Sequence, residues 1–327
     1  MLEHGGRLRQ AAEKYQIPLE QWLDISTGIN PNGWPVPSVP ASAWLRLPEN
    51  GDGLEHAAFE YYGCSSLLPV AGSQAAIQLL PQLRPLSKVG ILTPGYSEHA
   101  HAWKRAGHRL ITLDAREIAD AIDDLDVLLL CRPNNPDGLV LDSEILLQWH
   151  QRLMEKGGWL IIDEAFIDAT PELSLSPRGG KKGLIILRSL GKFFGLAGAR
   201  VGFVLAEQRL LAQLQERLGP WSLAGPSRWV ATQALSDRKW QAQTCESLKN
   251  SGERLNQLMV QHNLTPLGGT ALYQLVEIEQ AEALYVQLAQ QGILLRLFKE
   301  QSAVRFGLPK EEVEWQRLEA ALGVCRL

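Results

Sequence analysis

Short apolar runs alternate with longer amphipathic segments between residues 88 and 205. Apolar runs of roughly four to eight residues are typical of strands buried on both faces, whereas apolar residues at every third or fourth position are typical of helices. Strands are predicted over residues 88–92, 108–113, 126–131, 159–162, 184–187 and 201–205, and helices over 54–62, 75–83, 97–106 and 142–156. We therefore expect an α/β fold in which helices sandwich a large, mostly parallel sheet.

The pattern changes after residue 205. Helices are predicted over residues 207–218, 225–236, 239–262, 281–291 and 311–322, and strands over 272–278, 293–298 and 303–308. This mixture predicts a smaller α+β lobe. We place an N-terminal arm with part of the small lobe at residues 1–48, a large domain at 49–237 and a small C-terminal domain at 238–327.

The last part of the N-terminal region, up to about Pro48, is rich in proline and tryptophan. Pro35, Pro37 and Pro40 fix φ and lack an amide hydrogen, so they argue against a helix in this segment. The segment is too irregular for a core element and too apolar to remain in water. We expect it to be an extended arm that lies on a partner subunit.

Composition and charge exclude several classes of protein. The 327 residues are 45% hydrophobic and 21% charged, which is typical of a soluble globular protein. A net charge of -4 argues against binding to nucleic acid or to a membrane surface. The N-terminus has no apolar core of a signal peptide, no apolar run is long enough to span a membrane, and the four cysteines form no C-x-x-C pair. We expect a cytoplasmic protein with reduced thiols and no metal site.

One lysine, Lys192, follows the predicted strand 184–187 and lies among small and apolar residues. A lysine that loses hydration favours its neutral amine, which is the form that makes a Schiff base. Ser189 and Arg200 flank this lysine and could bind one phosphate group through a hydroxyl and a guanidinium. The alternative is a glycine-rich turn with a solvated lysine.

Two other strands also end in polar residues. Asn135 follows one strand in a turn stiffened by Pro133 and Pro136, and Asp163 ends the next. A buried aspartate needs a partner, and a protonated pyridine nitrogen would serve as one. Taken singly, the first motif could be a plain turn and the second an exposed acidic loop.

A further candidate anion site is Gly72-Ser73-Gln74, which precedes an amphipathic segment. A glycine-serine turn at the start of a helix directs backbone N–H groups and the positive end of the helix dipole towards a ligand. Such turns also cap helices for structural reasons, so this motif alone decides nothing.

The order of the motifs is more specific than any one of them. Gly72-Ser73-Gln74, Pro94-Gly95-Tyr96, Asn134-Asn135-Pro136, Asp163-Glu164-Ala165-Phe166, Ser189-x-x-Lys192 and Arg200 occur in this sequence along the chain. Together they resemble the pyridoxal-phosphate enzymes of the aspartate-aminotransferase fold, over a region from about Asp24 to Arg305. The resemblance implies pyridoxal 5'-phosphate as cofactor, with 49–237 as the cofactor-binding domain, and a homodimer with active sites at the interface.

The resemblance also implies roles for single residues. Lys192 would form the Schiff base with the cofactor, Asp163 would pair with the pyridine nitrogen, and Tyr96 would stack on the ring; these three are the candidate catalytic residues. The other cofactor-binding candidates are Asn135 at the ring hydroxyl oxygen and Gly72, Ser73, Gln74, Ser189 and Arg200 at the phosphate. Arg305 matches the arginine that grips the substrate carboxylate.

Three positions depart from the family pattern. Phe166 and Leu47 stand where many members have tyrosine, and Gly191 stands where serine or threonine is common. Each change removes a hydroxyl contact with the cofactor, worth on the order of 1 kcal/mol. We expect cofactor binding to survive, because the covalent link and the charged contacts remain.

The N-terminal motifs His4-Gly5-Gly6 and Asp24-x-Ser26-x-x-x-Asn30-Pro31 resemble those of the threonine-phosphate decarboxylases of cobalamin biosynthesis, which are relatives of histidinol-phosphate aminotransferase. The implied reaction converts L-threonine O-3-phosphate into (R)-1-amino-2-propanol O-2-phosphate and CO₂. A small phosphorylated amino acid needs an extra cationic group. The candidate substrate-binding residues are His4, Gly5, Asn30, Arg296 and Arg305.

Two alternatives remain open at this point. An aminotransferase of the histidinol-phosphate type would use the same cofactor but would depend on 2-oxoglutarate. A binding or regulatory protein could have kept the fold and lost the chemistry, although an intact set of Lys192, Asp163, Asn135 and Arg200 speaks against it. Which arginine takes the phosphate and which the carboxylate is undecided, and His4 and Arg296 could instead be a helix cap and a surface ion pair.

Overall fold

The fold is described from a computed structural model, which covers residues 4–325. The strands, numbered in chain order, are β1 Leu23–Asp24, β2 Leu67–Val70, β3 Lys88–Leu92, β4 Arg109–Leu113, β5 Val127–Cys131, β6 Trp159–Asp163, β7 Leu184–Ser189, β8 Gly202–Leu205, β9 Pro266–Thr270, β10 Tyr273–Glu277, β11 Ile293–Leu294, β12 Arg296–Phe298 and β13 Ala303–Gly307. The α-helices are α1 Leu8–Tyr15, α2 Ala41–Leu45, α3 Leu54–Tyr62, α4 Ser73–Leu79, α5 Ser97–Arg105, α6 Ile118–Ala121, α7 Ser143–Glu155, α8 Gln208–Leu218, α9 Gly225–Ser236, α10 Arg238–Gln261, α11 Ala281–Gln290 and α12 Glu312–Val324.

The chain divides into two compact units. The first contains the described parts of Met1–Gly33, Pro136–Gly138 and Thr244–Leu327, and the second contains Trp34–Asn135 and Leu139–Gln243. The domain limits expected after residues 48 and 237 stay predictions. The outer limits, residues 1 and 327, lie outside the described residues.

A seven-stranded sheet forms the second unit, in the order β2-β8-β7-β6-β5-β3-β4. Strands β4, β3, β5, β6 and β7 are parallel neighbours, whereas β8 runs antiparallel to both β7 and β2. Together with the helices that separate these strands, this large, mostly parallel sheet confirms the predicted α/β class. The smaller α+β part of the prediction is confirmed by the separate sheets of the first unit. The register aligns Cys131 with Asp163 and Asp163 with Leu187, so the carboxyl ends of β5, β6 and β7 lie side by side.

The central strands form because both of their faces are apolar. Leu128, Ile161 and Ile185 are fully buried on neighbouring strands. Trp103 of α5 and Ile77 of α4 belong to the same core cluster as Ile161 and Ile185. Each such side chain contributes roughly 1.5–3 kcal/mol when it leaves water, and this burial fixes the register that aligns the strand ends.

The first unit contains a four-stranded antiparallel sheet, in the order β12-β13-β10-β9, and a parallel pair formed by β1 and β11. Trp22 beside β1 packs with Ala11 of α1, Ala289 of α11 and Leu294 of β11. The N-terminal helix is therefore anchored in the same core as the C-terminal strands.

Two local predictions were wrong. The proline-rich segment contains the short helix α2, because Pro40 lies directly before it at φ -63°, where a proline favours a helix start. The single strand predicted over 293–298 is two strands, β11 and β12, which separate at Leu295 and belong to different sheets. Strand β2 was not predicted; it contains Pro69, which an edge strand tolerates.

None of the described helices combines the length and the apolar character that a membrane span requires.

The Asp142 side chain caps the N-terminus of helix α7. The Asp142 carboxylate accepts hydrogen bonds from the backbone N–H groups of Glu144 at 2.8 Å and Ile145 at 3.1 Å. We expect Asp142→Ala to lower the free energy of unfolding by about 1 kcal/mol, because two amides lose their cap. Asp142→Asn keeps an acceptor and is expected to unfold close to the parent; equal losses in both variants in urea denaturation would contradict this role of the cap.

Candidate active site

A cavity of about 150 Å³ lies at the carboxyl ends of β5, β6 and β7 in the second unit. Its lining comprises Gly72, Ser73, Gln74, Tyr96, Cys131, Asn135, Asp163, Ala165, Phe166, Ser189, Gly191, Lys192, Ala197 and Arg200. All nine residues expected to bind the cofactor are therefore brought to one cavity. The sequence order alone could not have shown this meeting, because the residues come from segments that are far apart in the chain.

Lys192 stands on the loop between β7 and β8. The loop is closed by backbone hydrogen bonds from Leu190 N–H to the Val201 carbonyl at 3.1 Å and from Leu196 N–H to the Leu190 carbonyl at 3.2 Å. The Lys192 Nζ lies 5.3 Å from the centre of the Phe166 ring. The amine is thus half-buried against an aromatic face rather than extended into solvent.

Asp163 is held in place by a histidine that sequence analysis missed. Its Oδ2 lies 2.9 Å from His99 Nε2, and its Oδ1 accepts the Ala165 N–H at 3.0 Å. Both side chains of the pair are buried. His99 lies in the first turn of α5, three residues after Tyr96, which directly precedes that helix, and the centres of the two rings are 5.8 Å apart. This spacing could have indicated that His99 lies near Tyr96, but not that it contacts Asp163.

Cys131 also borders this end of the cavity and was missed as well. The Cys131 Sγ, a ring nitrogen of His99 and a carboxylate oxygen of Asp163 all lie within 4.8 Å of one another. The thiol comes from the last residue of β5, and the register places it next to Asp163.

Arg200 and Gly72 approach each other closely at the opposite end. Arg200 has a left-handed backbone, with φ 53°, and its Nη1 donates to the Ala197 carbonyl at 3.1 Å. A Cβ on Gly72 would lie 2.5 Å from Arg200 Nη2, and φ there is +71°. Any other residue at position 72 would have an unfavourable backbone conformation and would displace the Arg200 guanidinium.

The remaining polar groups at that end are oriented by neighbours. Gln74 Nε2 donates to Glu98 Oε2 at 2.7 Å, and the Ser189 hydroxyl accepts the Gly191 N–H at 3.2 Å. Burial raises the pKa of Tyr96, and the charges of Asp163 and Glu98 act in the same direction. The Tyr96 phenol therefore stays neutral over the physiological range.

This donor set fits pyridoxal phosphate. Arg200 and the Ser73 and Ser189 hydroxyls suit a phosphate, the buried Asp163 suits a pyridinium, and Lys192 suits an aldehyde. The glycine at position 72 leaves space beside the guanidinium that any other residue would fill. The fit is one of chemistry and of available space.

The departures from the family pattern differ in their surroundings. Phe166 is buried beside Lys192, and Leu47 is 63% exposed on the second unit. A Cβ on Gly191 would lie 3.3 Å from both Ala197 Cα and Ser189 Oγ. A serine or threonine would therefore crowd the Ser189 hydroxyl, which gives a steric reason for glycine at this position.

Three of the expected substrate residues share a second cavity, of about 270 Å³, in the first unit. His4, Gly5 and Arg296 line it. The backbone N–H of Gly6 donates to the Ser26 hydroxyl at 2.7 Å, and a Cβ on Gly5 would lie 2.4 Å from the Ser26 carbonyl oxygen. The N-terminal glycines therefore lie directly against Ser26, two residues after the end of β1.

Arg296 and Arg305 face each other on β12 and β13 of the first unit. They are cross-strand partners, and their guanidinium carbons lie 5.1 and 5.9 Å from the centre of the same Phe298 ring. Burial lowers the pKa of Arg305 to about 10, and the charge of Arg296 adds to the effect. Like charges at directly opposed positions destabilise a sheet, so the pair is suited to an anionic ligand.

Asn30 has a local structural contact. It is buried, and its side-chain carbonyl accepts the Asn32 N–H at 2.9 Å. It lines a third cavity of about 50 Å³, together with Lys310 and Trp315. Its role towards substrate stays a prediction.

Comparisons with known proteins agree with this geometry. The family described as aminotransferase class I and II matches residues 50–318. A threonine-phosphate decarboxylase of Pseudomonas aeruginosa is 53% identical over 322 residues, which cover 98% of this chain and 97% of that protein. A threonine-phosphate decarboxylase of Sinorhizobium sp is 38% identical over 332 residues, covering 99% and 98%. The solved structure of histidinol-phosphate aminotransferase from Sinorhizobium meliloti in complex with pyridoxal-5'-phosphate has a TM-score of 0.83 at 21% identity, covering 98% of this chain and 97% of that one.

The close approach of Gly72 and Arg200 can be tested with a matched pair of variants. Gly51 also has positive φ, +86°, but an added Cβ there meets no atom within 4 Å. We expect Gly72→Ala and Gly51→Ala each to lose about 1 kcal/mol of stability from the left-handed backbone. Only Gly72→Ala is expected to weaken the binding of pyridoxal phosphate, because its methyl group displaces the Arg200 guanidinium. Equal affinities in the two variants, measured by titration of the apoprotein, would refute the assignment of the phosphate end.

Proposed function

This chain belongs to the class I and II aminotransferase family, and from that premise we propose that it is a pyridoxal-phosphate-dependent lyase that decarboxylates L-threonine O-3-phosphate to (R)-1-amino-2-propanol O-2-phosphate. The observation that carries the proposal is the 53% identity, over 98% of the chain, to a protein named threonine-phosphate decarboxylase. We further propose that the reaction serves cobalamin biosynthesis in the cytoplasm.

The cofactor, when bound, supplies an electron sink for the electron pair that remains after a bond to the substrate α-carbon breaks. Asp163 would hold the pyridine nitrogen in its protonated form. The hydrogen bond from His99 and the buried position keep that carboxylate aimed into the cavity. Arg200, Ser73 and Ser189 would bind the phosphate, and Tyr96 and Asn135 would hold the ring.

Lys192 would have two roles. Its amine would bind the cofactor aldehyde, which a half-buried position beside Phe166 favours because a poorly hydrated amine is more readily neutral. Loss of CO₂ leaves an electron pair at the α-carbon, which must take up one proton in place of the carboxylate. We assign the delivery of that proton to Lys192 Nζ, the amine that lines the cavity.

The substrate carries two anionic groups, and Arg296 and Arg305 supply two opposed cations in the first unit. We propose that these arginines bind the phosphate and the carboxylate, with His4, Gly5 and Asn30 as further substrate-binding residues. Their task is to orient the substrate, because reaction choice depends on which bond to the α-carbon is held perpendicular to the cofactor ring.

We also propose a homodimer with active sites at the interface. Exposed apolar side chains of the proline-rich segment support it: Trp44 is 67%, Leu45 83% and Leu47 63% exposed. Apolar surface of this kind is suited to burial against a second copy of the chain.

The reaction can be tested by measuring CO₂ from threonine phosphate in the absence of any 2-oxo acid. We expect stoichiometric release of CO₂, because decarboxylation needs no amino-group acceptor. Lys192→Ala is expected to lose both turnover and the visible absorbance of the bound cofactor. Turnover that instead requires 2-oxoglutarate would identify an aminotransferase, and a protein that takes up no cofactor would indicate a binding protein.

The two arginines can be tested separately. We expect Arg296→Gln and Arg305→Gln each to raise KM for threonine phosphate by roughly 30- to 100-fold, because each removes a charge-assisted contact worth ~2–3 kcal/mol. Arg254→Gln, at an exposed arginine paired with Glu312 at 2.7 Å, serves as control and should keep the parent KM. The KM values for threonine phosphate and for unphosphorylated threonine are then compared in each variant. The variant that no longer prefers the phosphorylated substrate has lost the arginine that binds the phosphate. Parent-like KM values in both variants would remove these arginines from the site.

A further inference from the structure

Four charged side chains of alternating sign lie buried beside the cofactor cavity in the second unit. Arg132, Glu164, Arg188 and Asp168 are each at most 2% exposed. Glu164 stands between the arginines, with Oε2 at 2.8 Å from Arg188 Nη1 and Oε1 at 3.9 Å from Arg132 Nη1. Asp168 accepts a hydrogen bond from Arg188 Nη2. We call these four residues the charge row.

Three members of the charge row are each adjacent in sequence to a residue that lines the cofactor cavity. Arg132 follows Cys131 at the end of β5, Glu164 follows Asp163 at the end of β6, and Arg188 precedes Ser189 at the end of β7. Successive side chains along a strand point to opposite faces. The three strand ends therefore present cavity residues on one side and the charge row on the other.

The contacts of Glu164 are saturated. Its two oxygens accept hydrogen bonds from the Leu175 N–H at 2.8 Å, the Ser174 hydroxyl at 2.5 Å and the Ser176 hydroxyl at 3.3 Å, besides Arg188. Its own N–H donates to the Leu187 carbonyl at 2.9 Å. Glu164 is consequently fixed relative to β7 through both backbone and side chain.

Arg188 is fixed to the same degree. Its Nη1 also donates to Ser174 Oγ at 2.9 Å and Ser176 Oγ at 3.0 Å, and its guanidinium carbon lies 4.7 Å from the centre of the Tyr62 ring. Burial alone would lower the pKa of Arg188, but Asp168 and Glu164 raise it, so the guanidinium stays charged. Arg132 is tied down by donating to the Leu141 carbonyl and the Ser143 hydroxyl, both at 2.8 Å.

Stability alone is a poor reason for such a row. Well-packed apolar residues of similar volume stabilise a core as well as a buried ion pair does, or better, because each charge loses its hydration. What an ion row provides is directionality, since it fixes the positions of its members relative to one another. Two of those members, Glu164 and Arg188, are chain neighbours of Asp163 and Ser189.

We propose that Glu164 and Arg188 are positioning residues for the cofactor: the charge row locks the ends of β5, β6 and β7 together and so sets the distance between Asp163 and the Ser189–Lys192 segment. The row touches neither cofactor nor substrate in this scheme and acts through its chain neighbours. This inference rests on the cofactor assigned under the proposed function.

The test uses the apoprotein reconstituted with pyridoxal phosphate. Glu164→Gln keeps the shape and most acceptors of the side chain but removes its charge, and Arg188→Lys keeps the charge but removes the planar fork. We expect each variant to bind pyridoxal phosphate about tenfold more weakly and to shift the visible absorption spectrum and its pH dependence, because a small displacement of groups at a site has effects of this order or larger. The readouts are the dissociation constant, the spectrum between pH 6 and 9, and the free energy of unfolding of the apoprotein.

Arg228→Lys is the matched control. Arg228 is also buried in the second unit and pairs with Asp52 at 2.6 Å and Glu55 at 2.8 Å, but it lies on helix α9 rather than on a strand and does not line the cofactor cavity. We expect Arg228→Lys to lower the free energy of unfolding while the affinity for pyridoxal phosphate stays within about twofold of the parent, because changes at independent sites do not affect each other. If its affinity falls as far as that of the row variants, affinity merely follows stability and the proposal is overturned.

Three further outcomes remain. If Glu164→Gln and Arg188→Lys give no folded apoprotein, the double variant Ser174→Ala with Ser176→Ala decides, because it removes the two hydroxyls that bridge the two charges. A parent-like dissociation constant and spectrum in this variant would overturn the proposal. A parent that takes up no pyridoxal phosphate refutes the cofactor assignment itself. A parent that binds it and row variants that bind it equally well refute only the role of the charge row.

Discussion

The hydrogen-bond register of three neighbouring parallel strands is the constraint on which the candidate site depends. Cys131, Asp163 and Leu187 lie side by side in β5, β6 and β7. Because parallel strands end at the same edge of a sheet, side chains from distant parts of the sequence share one cavity there. A slip of β6 by one residue would turn Asp163 to the other face. The apolar burial that fixes the register therefore also determines which polar side chains share the cavity.

Both units contain arrangements that are unfavourable by themselves and become favourable with an anion. In the second unit Arg200 adopts a left-handed backbone, and its guanidinium occupies the place that a side chain at position 72 would need. In the first unit Arg296 and Arg305 occupy directly opposed positions of a sheet around one aromatic ring. Strain and like-charge repulsion of this kind concentrate at functional sites, where a ligand relieves them. A phosphorylated cofactor and a phosphorylated amino acid together supply such anions.

Sequence periodicity located six of the seven strands of the large sheet, β3 to β8, since strands buried on both faces leave continuous apolar runs that few other structures produce. The motif order identified the residues around the cavity. Contacts that arise only from tertiary packing escaped it: His99 beside Asp163, and the pairing of Glu164 with Arg188, which are 24 positions apart. The prolines before α2 led to the wrong prediction that this segment contains no helix. Proline opposes a helix interior but favours its start, and local sequence alone does not separate the two cases.

The antiparallel direction of β8 has a consequence for how the lysine reaches its place. A parallel successor to β7 would have had to begin at the opposite edge of the sheet, whereas β8 begins at the edge where β7 ends. Ser189 therefore pairs with Gly202, and Lys192 lies on the return between them, residues 190–201, which stays at that edge. The backbone hydrogen bonds of this return join residues that are close in sequence, such as Leu190 N–H to the Val201 carbonyl and Leu196 N–H to the Leu190 carbonyl. We expect this return to be ordered before any ligand arrives, so that little ordering entropy is lost when the cofactor binds.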